Sequence, residues 1–178
     1  MVSSYIPTLS SLISARSSWT KLDRERSISE LEVLVVAQPK TSGHSDLPMT
    51  LEELQIIENV VSPRQLIHIG ITSNQDLSQT NSNRTVVEVT ESLTRASVLH
   101  LACHGHQDSK DPLNSGFALA DGRLSLAKLI SCHTPNAFFA FLSACESAAV
   151  DVEVPDESLS LSVAMLYAGK ISLCLGLR

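Results

Sequence analysis

Residues 98–105 read VLHLACHG, an apolar run that ends at the polar His104 and is followed by Gly105. Residues 137–142 read AFFAFL, a second apolar run that leads through SA into Cys145. Short apolar runs of this kind predict strands that are covered on both faces of a parallel sheet. The carboxyl ends of parallel strands lie along one edge of the sheet, and ligands bind in the crevice beyond it. If the two strands are neighbours, the sequence predicts an imidazole and a thiol over one crevice.

The rest of the chain alternates between predicted strands and predicted helices. Further strands are predicted at residues 31–37, 66–71 and 171–175, and helices at 5–15, 50–61, 86–93 and 158–168. This alternation predicts an α/β fold with parallel strands and right-handed crossovers. Thr50, with Glu53 three residues later, matches the capping box that begins many helices.

The segment between the two apolar runs has a different pattern. Residues 116–124 read GFALADGRL, in which Asp121-Gly122 separates two short apolar pieces and predicts a β-hairpin. Ser125 is placed to cap a short helix that continues to residue 130. The sequence therefore predicts a small hairpin inserted before the strand that leads to Cys145.

The composition excludes several classes of protein. The chain has 178 residues, which suits one domain, and 43% of them are hydrophobic, enough for a sizeable core. The formal net charge is −6 and no basic cluster occurs, so we expect no nucleic-acid partner. No signal-peptide pattern and no apolar run of about eighteen residues occurs, so we expect no membrane association. The four cysteines lie in apolar surroundings and indicate free thiols in a reducing, cytoplasmic compartment.

Cys145 and His104 are the residues best suited to chemistry. A thiolate beside an imidazole can act as a nucleophile, and the backbone N–H groups of Gly105 and Cys145 can form an oxyanion hole. The structural alternative is that Cys145 is an inert core residue, as cysteines after apolar strands commonly are. His68 and His100, inside apolar runs, are interpreted as core histidines.

A zinc site is a weaker alternative. Thiol and imidazole ligands are available, but their spacing matches no common zinc module, and Cys103 should face away from His104 if the strand continues through it. The possible ligands are Cys103, His104, His106, Cys132 and His133. A serine hydrolase is also disfavoured, since Ser143 lies in LSACE without the glycines of a nucleophile elbow.

The motifs HLACHG and LSACES, with DPLNSGFALADGRL between them and PDESLSLSVAMLYAG after them, closely resemble the CHAT domain. This is a caspase-like peptidase family related to separases and often found behind tetratricopeptide repeats. The segments SYIPTLSSL and LEVLVVAQPKTSG are similar to it as well. The resemblance therefore spans nearly the whole chain.

The resemblance implies a caspase-like three-layer α/β sandwich with a mostly parallel sheet and a His–Cys dyad, which corresponds to His104 and Cys145. It implies a cysteine endopeptidase without metal or organic cofactor, a protein or peptide substrate, and possible regulation by a tetratricopeptide-repeat or other protein. We expect an N-terminal helix and linker at residues 1–29 and the CHAT domain at 30–178. Family members typically continue beyond this point with a further strand and helices, whereas the sequence ends with ISLCLGLR. We therefore expect the domain to be incomplete at its C-terminal end. A catalytically inactive caspase-like interaction module is therefore the alternative function.

Overall fold

The computed structural model describes residues 27–70, 85–108 and 110–143, and the backbone of strand 172–175. The elements in chain order are β1 (Val33–Ala37), α1 (Met49–Val60), β2 (Leu66–Gly70), α2 (Thr85–Ser92), β3 (Val98–Ala102), β4 (His104–His106), β5 (Gly116–Leu119), β6 (Gly122–Ser125), α3 (Leu126–Ser131), β7 (Phe139–Leu142) and β8 (Ser172–Leu175). The helices predicted at residues 5–15 and 158–168, and Cys145 itself, lie outside the described residues.

Five strands form a parallel sheet in the order β2-β1-β3-β7-β8. The strands β1 and β3, at the centre, are nearly all apolar, because side chains on both of their faces are covered. The predicted α/β fold with a mostly parallel sheet is confirmed. The mixture of this sheet with helices is consistent with a caspase-like fold.

A second sheet of three antiparallel strands, in the order β4-β5-β6, follows directly from the central one. Only Cys103 separates the end of β3 from the beginning of β4. The predicted hairpin is confirmed as β5 and β6, although the turn falls at Ala120 and Asp121, one residue earlier than expected, because Gly122 pairs with Leu119. The sequence pattern did not predict β4, whose three residues read HGH and are defined by their pairing with β5.

The described residues form two apolar clusters, one on each face of the central sheet. The apolar face, which is continuous with the hairpin and α3, has a cluster of seventeen buried residues that includes Leu34, Leu99 and Phe117. Among the residues that the structure describes, the α1 face has three buried apolar residues, which are Val35, Ala37 and Leu54. Alternate residues of each strand face opposite sides, so β1 contributes Leu34 and Val36 to one cluster and Val35 and Ala37 to the other.

The beginnings of two helices test the capping predictions. Ser125 precedes α3, and its side chain accepts a hydrogen bond from the backbone N–H of Lys128, which confirms the predicted cap. The capping box at Thr50 is wrong, because α1 begins at Met49 and Thr50 lies within its first turn. The Thr50 hydroxyl donates instead to the carbonyl of Leu47 at 2.7 Å. Glu53 is consequently available for contacts outside its own helix.

Candidate active site

The two strands that lead to the predicted dyad are neighbours. Strands β3 and β7 are parallel and paired in register from Val98 with Phe139 to Leu101 with Leu142. The backbone N–H of Ser143 extends this contact by donating to the carbonyl of Leu101 at 2.9 Å. The predicted adjacency of the two strands is therefore present in the sheet.

His104 is buried, and one of its ring nitrogens has a defined partner. The side chain is 8% exposed, and Nε2 lies 2.7 Å from the carbonyl oxygen of Ser45. A carbonyl oxygen can only accept a hydrogen bond, so Nε2 must carry the proton and donate it. In the neutral imidazole this leaves Nδ1 unprotonated and able to accept a proton. The contact therefore fixes both the tautomer and the orientation of the ring.

The partner of His104 belongs to a closed loop between β1 and α1. The backbone N–H of Leu47 donates to the carbonyl of Pro39 at 2.8 Å and closes the loop. Gly43 has a φ of 81°, a left-handed conformation in which a residue with a Cβ would be strained. This turn brings the chain to His44, whose ring stacks on that of His104 with centroids 4.7 Å apart and planes inclined by 22°. His104 is thus held by a hydrogen bond in its plane and by an imidazole against its face.

His44 and Ser45 were not singled out from the sequence. Ser45 acts through its backbone carbonyl, so its side-chain type gives no signal. A positional signal did exist, because the loop follows the carboxyl end of β1 and β1 pairs with β3 in parallel. Loops that follow neighbouring parallel strands lie at the same edge of a sheet.

The structure also describes three other residues that were singled out from the sequence. Cys103 is completely buried in the apolar cluster. Gly105 is buried in β4 opposite Phe117. Cys132 is a free, half-buried cysteine, and burial raises the pKa of its thiol, while the nearby Lys128 opposes that shift. The part assigned to the N–H groups of Gly105 and Cys145 stays a prediction.

A polar cluster lies on the α1 face of the central sheet. The hydroxyl of Ser143 donates to Oε1 of Glu53 at 2.7 Å. Oε2 of the same carboxylate lies 3.3 Å from Nε2 of His100, which makes an ion pair whenever His100 is protonated. The ring of His100 also stacks on Phe141, its partner in the β3–β7 register, at 5.1 Å. Sequence reasoning placed His100 in the core but did not identify Glu53 as its neighbour.

Two further findings concern ligands and membranes. Within the described ranges, no group of three or more histidine, cysteine, aspartate or glutamate side chains is arranged to hold a metal ion. Among the same residues, no helix combines the length and the apolar composition that crossing a bilayer requires.

Comparison with known proteins agrees with this architecture. A family model described as the CHAT domain matches residues 2–177, nearly the whole chain. No curated protein matches the sequence. The match begins before the described residues and extends past β8, so it covers both the predicted histidine and the predicted cysteine. The chain belongs to the CHAT domain family, whose members are caspase-like.

Proposed function

We propose that this protein is a CHAT-type cysteine endopeptidase in which His104 and Cys145 form the catalytic dyad. The observation that supports this most is the in-register parallel pairing of β3 with β7. His104 and Cys145 each follow the last paired position, Leu101 or Leu142, by three residues. Equal distances beyond neighbouring parallel strands favour convergence of the two side chains at one edge, since such strands lie roughly 4.8 Å apart.

The environment of His104 fits a general base. Its Nε2–H is engaged by the carbonyl of Ser45, so Nδ1 is the nitrogen that can take the proton of the Cys145 thiol. The carbonyl dipole also stabilises the imidazolium that forms when the proton arrives, because it accepts a hydrogen bond from the charged ring. A nucleophile, a base and a third group that orients the base make up the general arrangement for covalent catalysis.

In the proposed reaction, the Cys145 thiolate attacks the carbonyl carbon of the scissile peptide bond. The electron pair of the carbonyl moves to its oxygen, which the N–H groups of Gly105 and Cys145 stabilise. Collapse of the tetrahedral intermediate breaks the C–N bond, and His104 gives its proton to the leaving amine. Water, deprotonated by His104, then hydrolyses the thioester and restores the thiol.

Alkylation of the thiols across pH tests the dyad directly. A nearby imidazolium lowers the pKa of a thiol by about one to three units and so favours the thiolate. We therefore expect Cys145 to react with iodoacetamide faster than Cys103, Cys132 and Cys174 between pH 6 and 8. Peptide mapping by mass spectrometry gives the rate for each cysteine. Burial raises the pKa of Cys132, so that thiol provides an internal slow reference.

The substitution His104→Ala should remove the advantage of Cys145. His133→Ala, at an exposed histidine after α3, is the matched control and should leave the rate unchanged. Equal reactivity of all four thiols in the unmodified protein, or an undiminished rate in His104→Ala, would contradict the dyad.

Cleavage of a peptide library tests the endopeptidase activity itself, with Cys145→Ala as the control. Turnover that is lost in Cys145→Ala supports a protein or peptide substrate. A folded protein with a reactive Cys145 but no turnover would instead favour the inactive interaction module. Regulation by a tetratricopeptide-repeat protein stays a prediction, which addition of such a partner to the same assay would test.

A further inference from the structure

We propose that Glu53 is a positioning residue that holds the middle of β3 and the residue after β7 in a fixed arrangement and thereby aligns the proposed dyad. This inference rests on the proposed function, since it concerns the two strands that precede His104 and Cys145. It assigns a part to three polar side chains that the reaction itself does not use, which are Glu53, His100 and Ser143.

One carboxylate of α1 reaches both strands. Oε1 accepts the hydroxyl hydrogen bond of Ser143, which immediately follows β7, and Oε2 lies within ion-pair distance of His100, in the middle of β3. The side chains of His100 and Glu53 are 9% and 26% exposed, and Ser143 is 2% exposed. Hydrogen bonds to a charged group are stronger than those between neutral groups, and partial burial strengthens them further.

The hydrogen bond between Ser143 and Glu53 matters because of where Ser143 lies in the chain. Its backbone N–H donates to Leu101 of β3, and its hydroxyl donates to Glu53 of α1, so the residue is fixed from two directions. Cys145 is only two residues further along the chain. A small displacement of Ser143 therefore moves the start of the segment that carries the proposed nucleophile.

Helix α1 also connects this cluster to His104. The loop that supplies the Ser45 carbonyl leads through Leu47 directly into α1, and Glu53 lies one turn into that helix. Movement of α1 would consequently disturb the orientation of the imidazole and the end of β7 together. Glu53 lies on this helix, so it can affect both the orientation of the imidazole and the position of the end of β7.

The experiment compares Glu53→Ala, Glu53→Gln and Ser143→Ala with Glu52→Ala, a matched control at an exposed glutamate on the same helix. The rate of alkylation of Cys145 is measured from pH 5 to pH 9, with thermal unfolding of every variant. A displacement of about 1 Å can slow a positioned reaction by about 100-fold, so we expect Glu53→Ala to lower the rate at pH 7 by about tenfold or more. Its pH profile should approach that of an ordinary thiol.

The conservative variants separate positioning from general destabilisation. The amide oxygen of Glu53→Gln can still accept from Ser143, so this variant should keep its rate within about threefold of the unmodified protein. The double variant Glu53→Ala with Ser143→Ala should be no slower than Glu53→Ala alone, because the two substitutions remove the same hydrogen bond. The proposal would be overturned if the double variant lost the full sum of the two single losses in alkylation rate. It would also be overturned if Glu53→Ala reacted at the same rate as Glu52→Ala. If Glu53→Ala does not fold, Ser143→Ala, which removes only one hydroxyl, takes its place. Its rate of Cys145 alkylation is then compared with that of Glu52→Ala.

Amide hydrogen exchange at Ser143 tests the inference without relying on reactivity. If Glu53 fixes this residue, exchange of the Ser143 N–H should accelerate in Glu53→Ala and stay unchanged in Glu52→Ala. Accelerated exchange together with an unreactive Cys145 in the unmodified protein would reject the dyad but keep the positioning role. Unchanged exchange with a reactive Cys145 would reject the positioning role alone.

Discussion

The described residues on the two faces of the central sheet differ in chemistry. On the apolar face, seventeen buried residues pack around β1, β3, β7 and the hairpin, and hydrophobic burial is the main stabilising contribution. On the α1 face, the three buried apolar residues of the described part of the chain lie beside polar contacts through Glu53, His100 and Ser143. For these described residues we expect a division of roles, in which the apolar cluster contributes most of the stability and the polar contacts of the α1 face order the segment that leads to the proposed site.

Buried leucines on the two faces provide the largest test of this division. Leu99 in β3 is 1% exposed and belongs to the apolar face, whereas Leu54 in α1 is 0% exposed and belongs to the α1 face. Leu→Ala substitutions at buried sites cost about 2–5 kcal/mol, and the larger values occur where the surroundings cannot collapse into the cavity. We expect Leu99→Ala to fall near the upper end and Leu54→Ala near the lower end, as measured by denaturant unfolding.

The same pair should show the opposite order in reactivity. Leu54→Ala loosens the helix that carries Glu53, so it should slow alkylation of Cys145 more than Leu99→Ala does in conditions where both proteins are folded. Leu113→Ala, at a leucine that is 50% exposed, is the control and should change stability by less than about 0.5 kcal/mol. A larger loss of stability from Leu54→Ala than from Leu99→Ala would contradict the division of roles.

A smaller effect is expected at the helix that covers the apolar face beside the hairpin. The hydroxyl of Ser125 accepts the Lys128 N–H at 3.3 Å and caps α3, whose residues Leu126 and Leu129 are buried in the apolar cluster. Ser125→Ala should therefore destabilise the protein by about 1 kcal/mol, the usual cost of losing an N-cap. Ser131→Ala, at the other end of the same helix, removes an exposed hydroxyl and serves as the control. Equal effects of the two substitutions in thermal unfolding would show that the cap contributes nothing.

The sequence predicted the strands, the hairpin and α1 better than the polar contacts on the α1 face, for a physical reason. Apolar periodicity is a property of neighbouring residues, so residues 98–105 and 137–142 predicted β3 and β7, and GFALADGRL predicted the hairpin. Strand adjacency followed from the regular behaviour of parallel α/β folds. These parts depend on local pattern and on rules that many sequences share.

Contacts between polar side chains distant in sequence could not be predicted in the same way. Glu53 matched a local capping box, and the local interpretation was wrong because Pro48 and Met49 start the helix earlier. Its observed partner, Ser143, is 90 residues away. The Ser45 carbonyl that orients His104 has no side-chain signature at all. Such pairings depend on tertiary geometry, which single-sequence patterns do not contain.

The smallest expected effect concerns the loop that joins β4 to β5. The carboxylate of Asp108 accepts hydrogen bonds from the side chain of Asn114 and from the backbone N–H groups of Lys110 and Asp111. The Asn114 contact, followed by that of Asp111, holds the pKa of Asp108 below its usual value. A carboxylate whose pKa is lower in the folded protein stabilises that state above the pKa of the unfolded chain, and this contribution is lost as pH falls through the folded value.

We therefore expect the loop to loosen only when the pH falls below about 4, the ordinary range for aspartate, and to keep its contacts at neutral pH. Hydrogen exchange at Lys110 and Asp111 should accelerate over that interval, beyond the acceleration that the change in pH itself causes. Asp108→Asn removes the titrating group, so its exchange should lack this extra dependence. Because Asp108 is only half-buried and its contacts are local, the effect should stay within the loop and leave the global unfolding transition almost unchanged. An extra dependence that persists in Asp108→Asn would assign the titration to another group, whereas a shift of the global transition would mean that this loop contributes to the core.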